Sequence, residues 1–381
     1  MTDLLKDKEI AIIGGGPAGL TLARLLQMQG AAVAVYERDL HKNARPKGAT
    51  LDLHEESGLL ALEAAGLMDA FRANYRPGAD KVRVVDKHGN ILMEDSEADA
   101  SGRNRPEIDR GPLQDILLNS LLPGTVVWGR QFSSMEQQNG AWKISFKYTE
   151  PVFADIVIAA DGANSRVRPY LTPIKPRWAG VTAIEGAVYD SAKNCPGMHR
   201  LLNGGKIFAM GDEKVLIVSS KGDGRLVFYT SVKTEEDWVS TCGIDLTDKQ
   251  QVLSWFKAEY SEWDSIWHEL FENATGAFIP RPQYCIPTDQ QWEAQPNLTM
   301  VGDAAHLMPP FAGEGVNMAM LDALELSRQL TSSKHTTLHD AIAVFEEQMR
   351  QRAAEAAEAS LMSTAVLHSD GAIPFLSQII S

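Results

Sequence analysis

The segment AIIGGGPAGLTLA, residues 11–23, runs a short apolar stretch into three glycines and then into leucines at near-helical spacing as far as Gly30. Gly14, Gly16 and Gly19 stand at GxGxxG spacing. The first glycine permits a tight turn from strand to helix, the second lets the backbone approach a pyrophosphate, and the third lets the helix pack on the strand. The N–H groups and positive end of that helix favour the diphosphate, and Ala18 lies in the same turn. Then AAVAVYERD (31–39) reads as a second strand, completing strand–helix–strand in about thirty residues, the mark of a βαβ unit with a parallel sheet. Glu37 ends that strand, 18 residues past Gly19, where a carboxylate accepts from a ribose 2′-hydroxyl and repels a 2′-phosphate; Arg38 follows it. The ligand read from this cluster is an adenine dinucleotide, with NAD and FAD both open.

The chain has 381 residues with 44 % hydrophobic content, too long for one ordinary domain, so two are expected. A net charge of −14 argues against a nucleic-acid surface, which is basic. Cys195, Cys242 and Cys285 are widely spaced and odd in number, so neither a metal cluster nor a disulfide framework is expected and a reducing cytoplasm fits. The N-terminus lacks a signal-type apolar region and no stretch reaches membrane-span length. The tail AIPFLSQIIS (372–381) reads as a helix or strap docked on the protein.

Beyond the βαβ unit, residues 59–74 and 110–122 read as helices, 81–95 as a hairpin around Lys87–Asn90, and ADIVIAAD (154–161) as a buried strand ending on Asp161. Between about 176 and 285 strand-like runs alternate with the turns GDEK and KGDG, an antiparallel meander followed by the tryptophan-rich helical piece 252–271. Residues 338–365 read as one long helix. The fold expected is α/β, a Rossmann-like dinucleotide domain, with an inserted antiparallel-sheet (α+β) domain and a long C-terminal helix. The boundaries are 1–73, 104–172 and 286–335 for the first, 74–103 and 173–285 for the second, and 336–381 for the helix.

A second glycine-rich stretch, GDAAHLMPPFAGEGVN (302–317), follows another buried strand. That strand delivers Asp303 to the sheet edge, where a carboxylate can bond a ribityl hydroxyl. Pro309 and Pro310 fix the chain direction, and Gly313 and Gly315 leave room for a flat ring beside bare backbone. Glu314 lies between them, and the N–H groups of Gly315, Val316 and Asn317 open a helix whose positive end favours an anionic pyrimidine edge. With this element the dinucleotide becomes FAD. His306 reads as a hydrogen-bonding or packing residue, not a general base.

The motifs GGGPAG, DIVIAADGANSRVR (155–168) and GDAAHLMPP together make the chain similar to the single-component FAD-dependent aromatic hydroxylases of the para-hydroxybenzoate hydroxylase type, over essentially its whole length. YERD, ATLDLH, LHEES, NCPG and MVGDAAHLMPPFAGEGVN resemble most closely the Tet(X)-type tetracycline-inactivating monooxygenases. The resemblance implies that Asp52, Arg110 and Asp303 contact FAD, that Asp161, Gly162 and Arg168 serve FAD and the nicotinamide donor, and that Arg45 contacts NADPH. It implies NADPH reducing FAD, O₂ adding as a C4a-hydroperoxide, and oxygen transfer to an aromatic or polycyclic substrate, with no catalytic side chain or metal and a monomeric chain. A flavin halogenase is disfavoured, because no WxWxIP signature follows the first βαβ unit. A flavin-linked reductase, a non-catalytic flavin- or drug-binding protein and an NAD dehydrogenase are the other readings.

By the same resemblance Glu185, Lys206 and Val227 take the places of a glutamine, an arginine and a histidine that hold the antibiotic, and Tyr229 that of a glycine; Phe208, Pro310 and Phe311 complete the substrate set. Losing two or three directed bonds, each about 1–1.5 kcal/mol, would weaken a tetracycline roughly tenfold to several hundredfold. The flavin machinery is therefore expected intact over an altered pocket, with a tetracycline as one candidate substrate and a different aromatic as the alternative.

Overall fold

The computed structural model describes residues 3–44, 48, 50–94 and 105–380. Its first sheet has five parallel strands in the order 298–300, 156–159, 9–13, 32–36 and 126–127. Ile156–Ala159 is buried at every position, as a parallel strand covered on both faces must be. The helix Pro17–Met28 leaves the first strand with Pro17 at its start and packs beside the helix Gly315–Leu330. One continuous core joins this sheet, both helices and the first half of the helix Leu338–Leu367, through Ala341, Ile342, Phe345 and Met349.

The second large sheet has seven strands in the order 279–285, 177–188, 226–233, 214–220, 206–211, 82–86 and 91–94. Its central strands are antiparallel, and 206–211 pairs parallel with 82–86, the first arm of the expected hairpin. Alternate side chains fall on opposite faces. Ile207, Leu216, Val218 and Phe228 face a core built with Phe256, Tyr260, Trp267 and Phe271, which accounts for the tryptophan-rich piece: it is the helical backing of this sheet. The helix Leu338–Leu367 ends against the sheet's other face, where His368 Nε2 lies 2.7 Å from Ser231 Oγ. The tail forms the helix Ala372–Ile380, whose Ala372 and Leu376 pack with Val84, Met210 and Val215.

The single helix expected over 59–74 is instead two short helices, Leu60–Ala64 and Met68–Arg72. Gly66 between them has φ +70°, which ends the first helix. Among the described residues no helix is long and apolar enough to cross a membrane.

Candidate functional site

A cavity of about 1560 Å³ lies between the two large sheets, against roughly 300–1,000 Å³ for a single small-molecule pocket, so it has room for a dinucleotide and a second ligand. At one end the wall is main chain. Gly14 has φ +113°, and a Cβ there would lie 2.2 Å from the Ala160 carbonyl oxygen; one on Gly19 would lie 2.2 Å from the Gly14 carbonyl. A Cβ on Gly16 would meet nothing within 4 Å, so that glycine leaves open space. The three glycines thus divide into turn, approach and packing. Glu37 Oε2 accepts from Gly15 N at 2.7 Å and its Oε1 from Asp39 N at 2.9 Å, which fixes the carboxylate at the strand end. Asp161 Oδ2 accepts from Arg166 N at 2.7 Å, whereas its buried Oδ1 has no partner. Burial pushes the Asp161 carboxyl above its ordinary range, against the pull of its Ser165 and backbone bonds.

Strand Leu298–Met300 ends at Gly302, φ +61°, where the chain turns into Asp303–His306. Asp303 opens onto the cavity, and its enclosure by protein raises the carboxyl's pKa, with His306 and Arg110 pulling the other way. Behind it His306 Nε2 lies 2.5 Å from Asp322 Oδ2, both buried. Burial disfavours the imidazolium, but the Asp322 carboxylate outweighs it and raises the His306 pKa. Gly313, φ +74°, could not carry a Cβ freely, since Asp52 Oδ2 would be 3.1 Å away. Burial pushes Asp52 up, yet the His54 hydrogen bond at 3.2 Å and the positive charge of Lys206 bring it net below the usual carboxylate range. Gly315 and Val316, opening the helix Gly315–Leu330, also line the cavity, and no side chain caps that helix end.

The other end stands on the seven-stranded sheet. Phe208, Ile217, Tyr229, Glu185 and Ile279 form one row across five strands in register, every one of them in the cavity wall. Pro310, Phe311, Phe375 and Leu376 face this chamber from the proline corner and the tail helix. Lys206 makes an ion pair with the buried Glu107, and Glu185 with Arg281 at 2.8 Å.

The sequence profile described as FAD binding domain matches residues 7–360. The chain belongs to this family. Monooxygenase asqM of Emericella nidulans is 30 % identical over 85 % of this chain and 84 % of its own length. The crystal structure of Klebsiella pneumoniae HpxO with FAD and uric acid superposes with a TM-score of 0.79 at 20 % identity, over all of this chain and 94 % of that one. The tetracycline destructase Tet(55) gives 0.77 at 19 % over all of this chain and 96 % of its own; at these identities the likeness is one of fold. The protein is thus an FAD-dependent monooxygenase of mixed α/β fold, with a Rossmann-like parallel sheet and a separate antiparallel one.

In this flavin monooxygenase the residues present fit FAD: the open approach at Gly16, the unpartnered Asp161 oxygen and the uncapped helix end all face one cavity. Gly14, Gly16, Ala18, Glu37, Arg38, Asp52, Arg110, Asp161 and Asp303 line it, as do Pro310, Gly313, Gly315 and Val316. Gly19, Glu314 and Asn317 do not. Gly19 is consumed by packing on the strand, and Glu314 points its carboxylate at His54 Nδ1, 3.8 Å away. Asn317 is fully buried and ties the loop at 52–54, accepting from His54 N at 2.9 Å and donating to the Asp52 carbonyl at 2.9 Å. Of the substrate set Val227 lies outside the cavity wall: it belongs to the Lys206–Ser219 row, but at 2 % exposure it is covered. Arg168 turns inward, donating to the Ala304 and Ala305 carbonyls and to Gln290 at 2.6–3.0 Å, and burial lowers its pKa to about 10. Arg45 lies outside the described residues.

Sequence reasoning missed Glu107, Arg281, Ser231, Phe375 and Leu376 in the cavity wall. Arg281 shares one strand face with Ile279 and Gln283 along Ile279–Cys285, a period-2 placement that was available once Ile279–Cys285 was read as a strand. Glu107 had none, because its partner Lys206 is 99 residues away.

Proposed function

We propose that the chain is an NADPH- and O₂-dependent monooxygenase that hydroxylates an aromatic or polycyclic small molecule, acting as a cytoplasmic monomer. The observation that carries this is one cavity running from a glycine-built dinucleotide cradle to an apolar chamber on a second sheet. FAD, when bound, supplies the acceptance of reducing equivalents from a nicotinamide and the activation of O₂. Glu37 would hold the adenosine ribose and Gly14 and Gly16 the diphosphate, with Arg110, Asp161 and Asp303 along the rest of the chain and Asp52 with Gly313, Gly315 and Val316 at the ring. The N–H groups of the helix Gly315–Leu330 favour negative charge at that end. Phe311, Phe375 and Leu376 exclude water from the chamber, which protects reactive oxygen species from wasteful decay. The assignment of residues 1–73, 104–172 and 286–335 to FAD, of 74–103 and 173–285 to substrate, and of 336–381 to a bridging helix belongs to this proposal. So does Arg45 as a nicotinamide contact.

Tetracyclines are the first substrates to try, given the fold shared with Tet(55), although Glu185 and Lys206 are both engaged by other side chains. NADPH oxidation by FAD-loaded protein is followed with and without a tetracycline, together with H₂O₂ and a product heavier by one oxygen. The expected result is oxidation stimulated by an aromatic substrate and coupled to that product. Peroxide alone with tetracycline would remove the antibiotic and keep the enzyme; bound FAD that no nicotinamide reduces would leave a binding protein.

A further inference from the structure

The charges on the chamber floor narrow the substrate class. Glu185 is gripped by Arg281, whose Nε at 2.9 Å and Nη2 at 2.8 Å both converge on Glu185 Oε2 across neighbouring strands. Lys206 is held by Glu107, which reaches it from the small sheet pairing Glu107–Asp109 with Thr50–Asp52 and is itself 2 % exposed. Lys81, also on the cavity wall, has a partner within the molecule, and Arg105 lies in the field of the Glu314 carboxylate. A ligand carboxylate would thus lose its water on this floor and find Lys206 and Arg281 already engaged, which is costly. An uncharged ring loses only water and gains Phe208, Ile217, Tyr229, Ile279 and Phe311.

Resting on the monooxygenase reading above, we infer that the substrate is an uncharged fused-ring aromatic, and that the Lys206–Glu107 and Glu185–Arg281 pairs are the specificity determinants that turn carboxylated aromatics away. The two pairs cancel each other's charge rather than serving a ligand's. Removing one partner should therefore convert the floor, and the direction of conversion depends on which partner goes. Glu107→Gln leaves a cation, Lys206, exposed to ligand; Arg281→Met leaves an anion, Glu185, whereas Glu107 stripped of Lys206 would be neutralised by its burial.

The test is calorimetric titration of FAD-loaded protein near neutral pH with 2-naphthol and with 3-hydroxy-2-naphthoate, which differ by one carboxylate. Wild type should bind 2-naphthol at least about tenfold tighter. Glu107→Gln should tighten 3-hydroxy-2-naphthoate about tenfold, and Arg281→Met should weaken it further, while 2-naphthol moves less than about threefold in both. Opposite shifts from the two variants cannot come from damaged packing. Glu185→Gln, which frees Arg281, supplies a second route should Glu107→Gln fold poorly. A wild-type preference for the carboxylate, shifts of the same sign in both variants, or no binding of either probe overturns the inference. Flavin absorbance and NADPH oxidation test the monooxygenase reading separately: protein without flavin fails that reading, whereas flavin-loaded protein preferring the naphthoate fails only this one.

Discussion

A Cβ on Gly14 would meet the Ala160 carbonyl at 2.2 Å, so the cofactor end of the cavity is shaped by where main chain meets main chain. The floor at the other end is shaped by side chains in a row from Phe208 to Ile279, standing on strands whose pairing does not depend on them. The first kind of wall tolerates almost no change of letter, because Gly14 and Gly19 are held by backbone that cannot move and Gly16 keeps open the space for a ligand's approach. The second can be rewritten residue by residue while the sheet stays as it is. A flavin site can thus persist above a floor whose chemistry has been exchanged.

The largest effect expected is at Gly14. Gly14→Ala forces a β-carbon into the Ala160 carbonyl at φ +113° and should cost at least about 3 kcal/mol of stability along with FAD retention. Gly16→Ala, with nothing within 4 Å, should leave the melting temperature of the FAD-free protein unchanged and still lose FAD affinity. Thermal melts and flavin absorbance of both variants check the pair. If Gly16→Ala keeps its flavin, the approach assigned to that glycine is wrong.

Asn317 comes next, since it ties the loop at 52–54 to the start of the helix Gly315–Leu330. Its side chain satisfies the His54 N–H and the Asp52 carbonyl inside the protein. Asn317→Ala strands both groups and should cost roughly 2–4 kcal/mol. Denaturant unfolding measures it, and a loss below about 1 kcal/mol would show that the loop repacks without it.

A smaller effect is a pH dependence beneath the cofactor wall. His306 has its pKa raised above the ordinary 6.5 by Asp322, in spite of burial. Its protonated form is the stabilising one. That contribution is complete below about pH 6.5, the unfolded value, and is lost as pH rises through the higher folded value. Wild type should therefore lose stability on going from pH 6 to pH 9 relative to His306→Gln. Parallel stability–pH curves for the two proteins would remove the charged pair.

The same contrast explains what could be read from residues alone. Gly14, Gly16 and Glu37, or Asp303 through Val316, act through local geometry, so their spacing along the chain carries their meaning, and the parallel sheet follows from the runs that flank them. The meander and the long helix were likewise visible as period-2 and period-3.6 patterns. Pairing across the cavity was not. Lys206 and Glu107 lie 99 residues apart and Glu185 and Arg281 96, so Lys206 and Glu185 looked like free substrate ligands until their partners were in place. Val227 came from the resemblance alone: its parity along Leu226–Lys233 matches Tyr229, but cover at its end of the sheet is a property of packing, not of parity.

Val227 therefore supports the smallest prediction. Val227→His puts back the side chain that the resemblance expects, on the Lys206–Ser219 row but outside the cavity wall. At 2 % exposure the imidazole would be buried away from substrate, costing about 1–3 kcal/mol of stability if it finds no partner. Substrate affinity should move by less than about twofold. Titration of a tetracycline into FAD-loaded wild type and variant decides it. A clear gain would mean that Val227 reaches the substrate when the chamber is filled, and that the floor extends one row beyond the wall drawn here.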